Sequence, residues 1–204
     1  MLQNRVDPFG DLIKTTARGS WMGNRGILHD ERKQILRPFK LKAWITCRLE
    51  FNGRKRQVMS PNHYTELFFL DEATSFAAGH RPCFECRRAD YQQFKSFWLK
   101  GNPKYHFNEK TPIKKIDEIL HKERTDRHKS KATYEEKMGD IPNGSFILFE
   151  KNPYLFFDKK MYLWTPFGYD KPVAIPKLKK LTMLTPKSIV NTFRAGYMPQ
   201  IAFR

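Results

Sequence analysis

Alternation of apolar and polar positions predicts the first strands of this chain. Between Leu41 and Phe51, apolar residues occupy every second position, which is typical of a strand with one buried face. Asn52-Gly53 follows and favours a two-residue hairpin, so we expect Arg54 to Met59 to form the returning strand. The apolar run from Tyr64 to Leu70 predicts a third, buried strand. The first forty residues show no such period, and we expect them to be irregular.

Residues that begin and end helices predict three helices in the middle of the chain. Asp71 can cap the first helix, and Gly79 follows its expected end. Thr111-Pro112 is typical of the start of the third, with proline at the first helical position. The predicted helices run from Glu72 to Ala78, from Arg87 to about Lys100, and from Thr111-Pro112 to about Lys129.

After Met138, short apolar runs separated by turns indicate strands. The expected strands are Ser145 to Phe149, Tyr154 to Phe157, Met161 to Trp164 and Leu178 to Leu184. Thr185-Pro186 predicts a last helix that ends near Gly196. The pattern therefore predicts an α+β fold. Residues 1–138 would form a sheet and helices with a zinc-type knuckle, the turn from Cys83 to Cys86 and its flanking residues. Residues 139–204 would form a basic, β-rich part that can share the same core.

Composition narrows the class of protein and of partner. With 204 residues, 40% of them hydrophobic, the chain is long enough and apolar enough to fold around a core. It has no apolar run near the ~20 residues of a membrane span and no secretory h-region, so we expect a cytoplasmic protein without a membrane partner. The formal net charge of +17 predicts an anionic partner, for which DNA is the first candidate and RNA the alternative.

Two of the three cysteines lie two residues apart in His80-Arg81-Pro82-Cys83-Phe84-Glu85-Cys86. Thiolates at this spacing can share one zinc ion through a tight turn, and Cys47 offers a third thiolate. A structural Zn²⁺ needs four ligands, so we expect a histidine to be the fourth, with His80 as the first candidate and His63 or His29 as alternatives. The competing interpretation is two ordinary thiols with Cys47 in the core.

Two segments that contain these cysteines resemble a known family. Ile45-Thr46-Cys47-Arg48 and the segment from Leu67 to Cys86 are similar to the metal-binding module of the Ada DNA-repair proteins, over about residues 45–94. The resemblance implies a DNA-facing zinc module with Cys47, Cys83 and Cys86 as ligands. Ada modules have another cysteine four residues after the first, where this chain has Phe51. A histidine must then replace it, or the zinc keeps an open position. The whole chain also resembles a bacterial family that shares the knuckle and an arginine-glycine loop, a likeness that implies no activity.

The predicted third helix carries candidate catalytic residues beside its apolar face. Asp117, His121 and Arg124 lie on one side of the helix next to the buried arc, and Glu123 projects among apolar residues. Asp117, His121 and Glu123 could therefore act as general acid–base groups, while Arg124 holds a phosphate. The alternative is that these charges form ordinary pairs four residues apart, which stabilise a helix.

A glycine-spaced segment from Arg18 to Gly26 could approach a ligand closely, with Arg18 and Arg25 on phosphate oxygens and Trp21 stacked on a base. The alternative is a loop held by packing of Trp21 on the sheet. Arginines of the knuckle and lysines near the C-terminus can add backbone contacts. The predicted nucleic-acid-binding residues are Arg18, Trp21, Arg25, Arg81, Arg87, Arg88, Arg124, Lys177, Lys179 and Lys180.

Together these features predict a zinc-containing DNA-binding protein that processes or repairs DNA. Hydrolysis of an N-glycosidic bond at a flipped or single-stranded nucleotide is favoured over phosphodiester cleavage, because no acidic cluster for a catalytic metal is evident. The alternatives are a non-catalytic zinc-dependent nucleic-acid-binding regulator, a nuclease, and a metalloenzyme with zinc at an open site of Cys47, Cys83 and Cys86. In that last case Glu85 would be the candidate acid–base group.

Overall fold

The computed structural model describes residues 1–54, 57–176 and 178–203 of the chain. Within these ranges the protein contains two six-stranded sheets and four α-helices, so the predicted α+β class is confirmed. No helix in the described ranges combines the length and the apolar character needed to cross a bilayer.

The first sheet is mixed and has the strand order β2-β1-β5-β3-β4-β6. Its strands are β1 (Gln3–Val6), β2 (Leu12–Lys14), β3 (Trp21–Asn24), β4 (Ile45–Cys47), β5 (Leu67–Phe69) and β6 (Arg81–Pro82). The expectation that the first forty residues are irregular was wrong, because β1, β2 and β3 all lie there. Strands of three or four residues are too short to show a clear alternation in the sequence.

The predicted hairpin after β4 was also wrong. Asn52 and Gly53 do form a turn with positive φ angles of 51° and 64°, and the N–H of Arg54 donates to the carbonyl of Phe51 at 3.1 Å. None of the described residues from 54 to 59 forms a strand, however. Instead, β4 pairs antiparallel with β3 and parallel with β6. The turn is a local property, whereas the partner of β4 comes from distant segments.

The helices match the predicted ones closely. They are α1 (Glu72–Ala77), α2 (Arg88–Gly101), α3 (Ile113–Arg124) and α4 (Lys187–Arg194). Asp71 caps α1 as expected, since its Oδ1 accepts a hydrogen bond from the N–H of Thr74 at 2.7 Å. Gly79 follows α1 with a φ of +90°. Only α3 differs clearly, because the extended backbone of Thr125 ends it before the predicted Lys129.

The second sheet is antiparallel and has the order β11-β10-β9-β8-β12-β7. Its strands are β7 (Tyr134–Lys137), β8 (Ser145–Phe149), β9 (Asn152–Phe157), β10 (Lys160–Thr165), β11 (Gly168–Tyr169) and β12 (Lys180–Met183). The four strands expected after Met138 are present as β8, β9, β10 and β12. The pairing of β12 between β8 and β7 is long-range and had no counterpart in the sequence pattern.

Helices from both predicted parts of the chain share one hydrophobic cluster. α4 packs against α2 and α3, and the buried side chains of this cluster are Phe76, Phe94, Trp98, Ile116, Leu120, Ile189, Phe193 and Tyr197. Glu123 of α3 accepts hydrogen bonds from both the N–H and the Oγ of Ser188, at 2.9 and 2.6 Å, at the start of α4. The boundary near residue 139 itself stays a prediction.

The glycine-spaced segment contains β3 of the first sheet, and two of its glycines, Gly19 and Gly23, allow close approach of neighbouring backbone. A Cβ atom on Gly23 would lie 2.2 Å from the carbonyl oxygen of Ile45, and one on Gly19 would lie 2.4 Å from that of Phe69. These positions therefore accept no side chain without a shift of backbone. Close approach to neighbouring strands thus accounts for Gly19 and Gly23, while Gly26 has a positive φ of 95° after β3.

We expect Gly23→Ala to lower the free energy of unfolding by about 1–3 kcal/mol, because the added methyl group overpacks the sheet. Gly139→Ala is the matched control, since a Cβ there meets no atom within 4 Å. Urea denaturation of both variants measures the difference. Equal stability of the two variants would contradict the assignment of Gly23 to a tightly packed strand.

Candidate metal centre

The three cysteines meet at one edge of the first sheet. β4 and β6 pair in parallel, with Thr46 opposite Pro82, and the N–H of Cys83 donates to the carbonyl of Thr46 at 2.9 Å. This pairing places Cys83 beside Cys47. The chain then turns, with the N–H of Arg87 donating to the carbonyl of Cys83 at 3.2 Å, and brings Cys86 back. The sulfur atoms of Cys47, Cys83 and Cys86 all lie within 4.8 Å of one another, so they can hold a metal ion.

The protonation of these thiols is coupled through hydrogen bonds. All three are free and at most 9% exposed. The thiol of Cys47 donates to the other two sulfur atoms, which lowers the pKa of Cys83 to about 5 and also lowers the pKa of Cys86. The same contacts raise the pKa of Cys47. Three adjacent thiolates require a cation, and a bound divalent ion would displace the remaining protons.

None of the predicted histidine ligands joins the cysteine cluster in the described part of the chain. The ring of His80 is buried, and its Nε2 accepts a hydrogen bond from Nε of Arg25 at 3.2 Å. His29 pairs through Nδ1 with Oγ1 of Thr65 at 2.6 Å, and Nδ1 of His63 lies 2.9 Å from the carbonyl oxygen of Pro61. Among the described residues the cluster therefore offers three candidate protein ligands, and a four-coordinate ion would need a fourth group.

A cavity of about 240 Å³ opens beside the cluster. One face of the first sheet forms the floor of this cavity. Met22 of β3 pairs with both Cys47 and Phe68, and residues two positions along each chain segment point to the same side of the sheet. The floor residues are Met22, Asn24, Ile45, Cys47, Glu66 and Phe68. The remaining lining residues are Arg48, Leu49, Phe51, Arg54, Val58, Tyr64, Cys83, Glu85 and Cys86. All three cysteines line this cavity, so a metal ion bound to them would lie at its wall.

Glu66 is a cavity residue that the sequence did not indicate as part of a site. Its side chain is only 2% exposed, and its Oε2 accepts a hydrogen bond from the N–H of Met59 at 2.8 Å. Its Oε1 is buried and has no hydrogen-bond partner among the described residues. The sequence feature that could have indicated Glu66 is its position two residues before Phe68, which puts a carboxylate in a run predicted to form a buried strand.

No family model, curated protein or solved structure matches this chain. The candidate centre is therefore supported by its own geometry. The three clustered cysteines agree with the ligand set that the Ada resemblance implies, while membership in that family stays a prediction.

The candidate catalytic residues of α3 have separate partners. Asp117 is buried and accepts two hydrogen bonds from Arg81, from Nε to Oδ1 and from Nη2 to Oδ2, each at 2.8 Å. Glu123 accepts hydrogen bonds at the start of α4. His121 packs edge-on against Phe39 at 4.9 Å between ring centroids, and burial lowers its pKa to about 4, helped by nearby Arg124. None of the three lines the cavity beside the cysteines, so their catalytic role stays a prediction.

Four arginines predicted to contact nucleic acid are buried, with guanidinium groups bonded inside the protein. Arg81 is bonded to Asp117, and Arg87 donates to Glu72 and to Asp90. Arg25 donates from Nη1 to the carbonyl of Gly10 at 2.8 Å, and Arg124 donates from Nη1 to the carbonyl of Gly79 at 2.8 Å. These side chains hold segments of the fold together and do not present their charge at the surface.

The other predicted contacts remain closer to solvent. Trp21 is half-buried and lies under the guanidinium of Arg87, with 4.0 Å between its ring centroid and Cζ. The exposed residues of the predicted set are Arg18, Arg88, Lys179 and Lys180. Lys177 lies outside the described residues. Of these exposed residues, Arg88 lies in the knuckle, Lys179 and Lys180 lie at β12, and Arg18 precedes β3.

Proposed function

We propose that this protein binds zinc through Cys47, Cys83 and Cys86 and binds single-stranded nucleic acid with the surface around that ion. The observation that carries the proposal is the exposure of Phe84, the aromatic residue between Cys83 and Cys86. Phe84 is 52% exposed, and the Cζ atom of Arg88 lies 4.9 Å from the centroid of its ring. An exposed aromatic ring beside a guanidinium is suited to a base and its phosphate.

Zinc is the metal that best fits the donor set. Three thiolates form a soft, negatively charged site, which selects zinc over the hard cations calcium and magnesium. A tetrahedral zinc with bonds of about 2.3 Å holds its sulfur ligands about 3.8 Å apart. The sulfur atoms here lie within 4.8 Å of one another, so a small contraction suffices. The ion would order the turn that presents Phe84.

Single-stranded nucleic acid fits this surface better than a duplex does. Stacking on Phe84 requires a base whose face is free, and such bases occur in single strands. Arg48 and Arg54 are also exposed near the knuckle, and the net charge of +17 favours association with a polyanion. The proposal applies to DNA and to RNA, because a stacking contact does not distinguish the two sugars.

The proposed activity is binding, as in the regulator hypothesis. Hydrolysis of an N-glycosidic bond stays a prediction, because Asp117 and Glu123 are engaged in contacts that connect structural elements. A binding protein would show a steep salt dependence and no turnover of the bound strand.

We expect Phe84→Ala to weaken binding of a single-stranded oligonucleotide by roughly 5- to 150-fold, since one base–aromatic stack contributes about 1–3 kcal/mol. Arg88→Gln should reduce the slope of log affinity against log salt by about 0.7, the value for one phosphate contact on a single strand. Fluorescence anisotropy of a labelled 12-mer at several salt concentrations measures both effects.

Phe167→Ala is the matched control for this experiment, because Phe167 is 55% exposed but follows β10 of the second sheet. It should bind the oligonucleotide as the unmodified protein does. If Phe84→Ala and Phe167→Ala behave alike, the surface around the cysteines is not the nucleic-acid interface.

A further inference from the structure

The cavity beside the cysteine cluster has two chemically different ends. Met22, Cys47 and Phe68 form a row across β3, β4 and β5 at the end where the metal would lie. Asn24 and Glu66 lie two residues farther along their chain segments, which corresponds to about 7 Å. The cavity thus extends from a cluster of soft ligands to a buried carboxylate across a partly apolar floor.

One oxygen of the Glu66 carboxylate, Oε1, has no hydrogen-bond donor among the described residues. The N–H of Met59 fixes the position of Oε2, while Oε1 is buried without a partner among the described residues. A buried acceptor without a donor is energetically costly, and such groups are rare in folded proteins. A ligand that brings an N–H group to this end of the cavity would satisfy Oε1. Each carboxylate oxygen can accept more than one hydrogen bond, so Oε2 can receive a second donor.

We propose that this cavity binds a single nucleobase, with the carboxylate of Glu66 accepting hydrogen bonds from N–H groups on the Watson–Crick edge of the base. The base would come either from an unstacked position of a single strand or from a free nucleotide. For the first of these sources the inference rests on the proposed function. Phe51, Phe68 and Met22 provide the apolar surface that a base face needs. Arg48 and Arg54 are exposed and line the same cavity, where they can reach the phosphate.

Guanine is the base that matches this carboxylate. Its Watson–Crick edge carries two adjacent donor groups, N1–H and the N2 amino group, and an ionised carboxylate is an acceptor only. Adenine and cytosine place a ring-nitrogen acceptor beside their amino group, which would face a carboxylate oxygen unfavourably. Uracil offers one N–H between two carbonyl acceptors. The geometry therefore favours guanine over the other three bases.

The test is binding of GMP, AMP, CMP and UMP to the full-length, zinc-loaded protein by isothermal titration calorimetry. GMP should bind most tightly. Glu66→Gln should weaken GMP binding by roughly 5- to 150-fold, the range for a bidentate contact to a base edge, and should remove the preference for GMP. This variant keeps the size of the side chain and leaves an amide oxygen to accept from Met59. Phe51→Ala, in the cavity wall, is the second variant if Glu66→Gln does not fold.

Glu135→Gln is the matched control, because Glu135 is an exposed carboxylate of β7 in the second sheet and does not line this cavity. It should retain the preference for GMP. Equal GMP affinities of the unmodified protein and the folded Glu66→Gln variant would overturn the inference. If Glu66→Gln is not folded, GMP binding by Phe51→Ala that equals that of the unmodified protein would overturn it.

A second measurement separates this inference from the proposed function. The probe is an oligothymidine 12-mer with one guanine, compared with the same strand carrying an abasic site at that position. If the unmodified protein binds the abasic strand more weakly and Glu66→Gln shows no such difference, the result supports the nucleobase site within a single strand. Binding of GMP without binding of either strand supports the cavity site and refutes the single-strand proposal. Equal binding of both strands, together with GMP affinity independent of Glu66, refutes the cavity site and leaves the Phe84 surface as the interface.

Discussion

Cys86→Ser is expected to abolish stable zinc binding. The cluster contains three sulfur donors within 4.8 Å of one another. Zinc is bound by deprotonated cysteine sulfur, and a serine hydroxyl stays protonated at neutral pH. Two thiolates then remain to hold the ion. Loss of groups that merely orient metal ligands already costs about 10- to 100-fold in affinity, so loss of a ligand should cost at least about 100-fold. Metal analysis after dialysis against a chelator gives the zinc content of each variant.

Glu85→Gln is the control for this prediction, because it changes the neighbouring carboxylate and leaves all three thiols in place. It should keep its zinc. Visible and near-ultraviolet absorption of the Co²⁺-substituted protein reports how many thiolates coordinate the ion, and the intensity should fall in Cys86→Ser. Full zinc content in Cys86→Ser would place the ion somewhere other than this cluster.

The same variant distinguishes a structural ion from an open, catalytic one. A structural zinc would couple metal loss to unfolding of the turn from Cys83 to Arg87, and nucleic-acid binding would be lost with it. A zinc that serves mainly as a ligand-binding position would leave the melting temperature nearly unchanged. Thermal denaturation with and without chelator therefore belongs in the same experiment.

Asp117→Ala should lower the free energy of unfolding by about 3–5 kcal/mol, because it leaves the buried guanidinium of Arg81 without its carboxylate. Both side chains of this pair are only 5% exposed, and two hydrogen bonds of 2.8 Å connect them. The pair joins α3 to β6, directly before the knuckle. Urea denaturation of the variant measures the loss.

Glu135→Ala provides the comparison, since Glu135 forms a surface pair with Lys180 in which both side chains are more than half exposed. Its loss should change stability by no more than about 1 kcal/mol. If Asp117→Ala were as stable as Glu135→Ala, the ion pair would not be the main role of Asp117. A loss of DNA processing without a loss of stability would instead support the catalytic prediction for this residue.

Predictions that depended on neighbouring residues succeeded where the interaction itself is local. Asp71 caps α1 through the N–H of Thr74, three residues away, and Gly79 adopts a positive φ after the helix. Asn52-Gly53 forms the expected turn. Each of these features depends on a few adjacent residues, so the sequence is sufficient to indicate it.

The sequence did not indicate the internal partners of the charged groups, because these partners lie far along the chain, and contact of these groups with nucleic acid stays a prediction. Arg81 and Arg87 are close to the cysteines in sequence and were expected to face a phosphate. Asp117 and Glu72, however, are 36 and 15 residues away from them and bond to these guanidinium groups inside the protein. The sequence alone does not show which carboxylate reaches which arginine.

By itself, the sequence determined the α+β class, the limits of several helices and strands, and a cysteine pair spaced to share a metal ion. Only the tertiary structure decided that Cys47 joins this pair and that His80 does not. It also placed Glu66 on the floor of a cavity beside the cysteines. The physical reason is that helix caps and tight turns are local contacts, whereas this site is formed by the pairing of β3, β4, β5 and β6, which are separated along the chain by long loops and by α1.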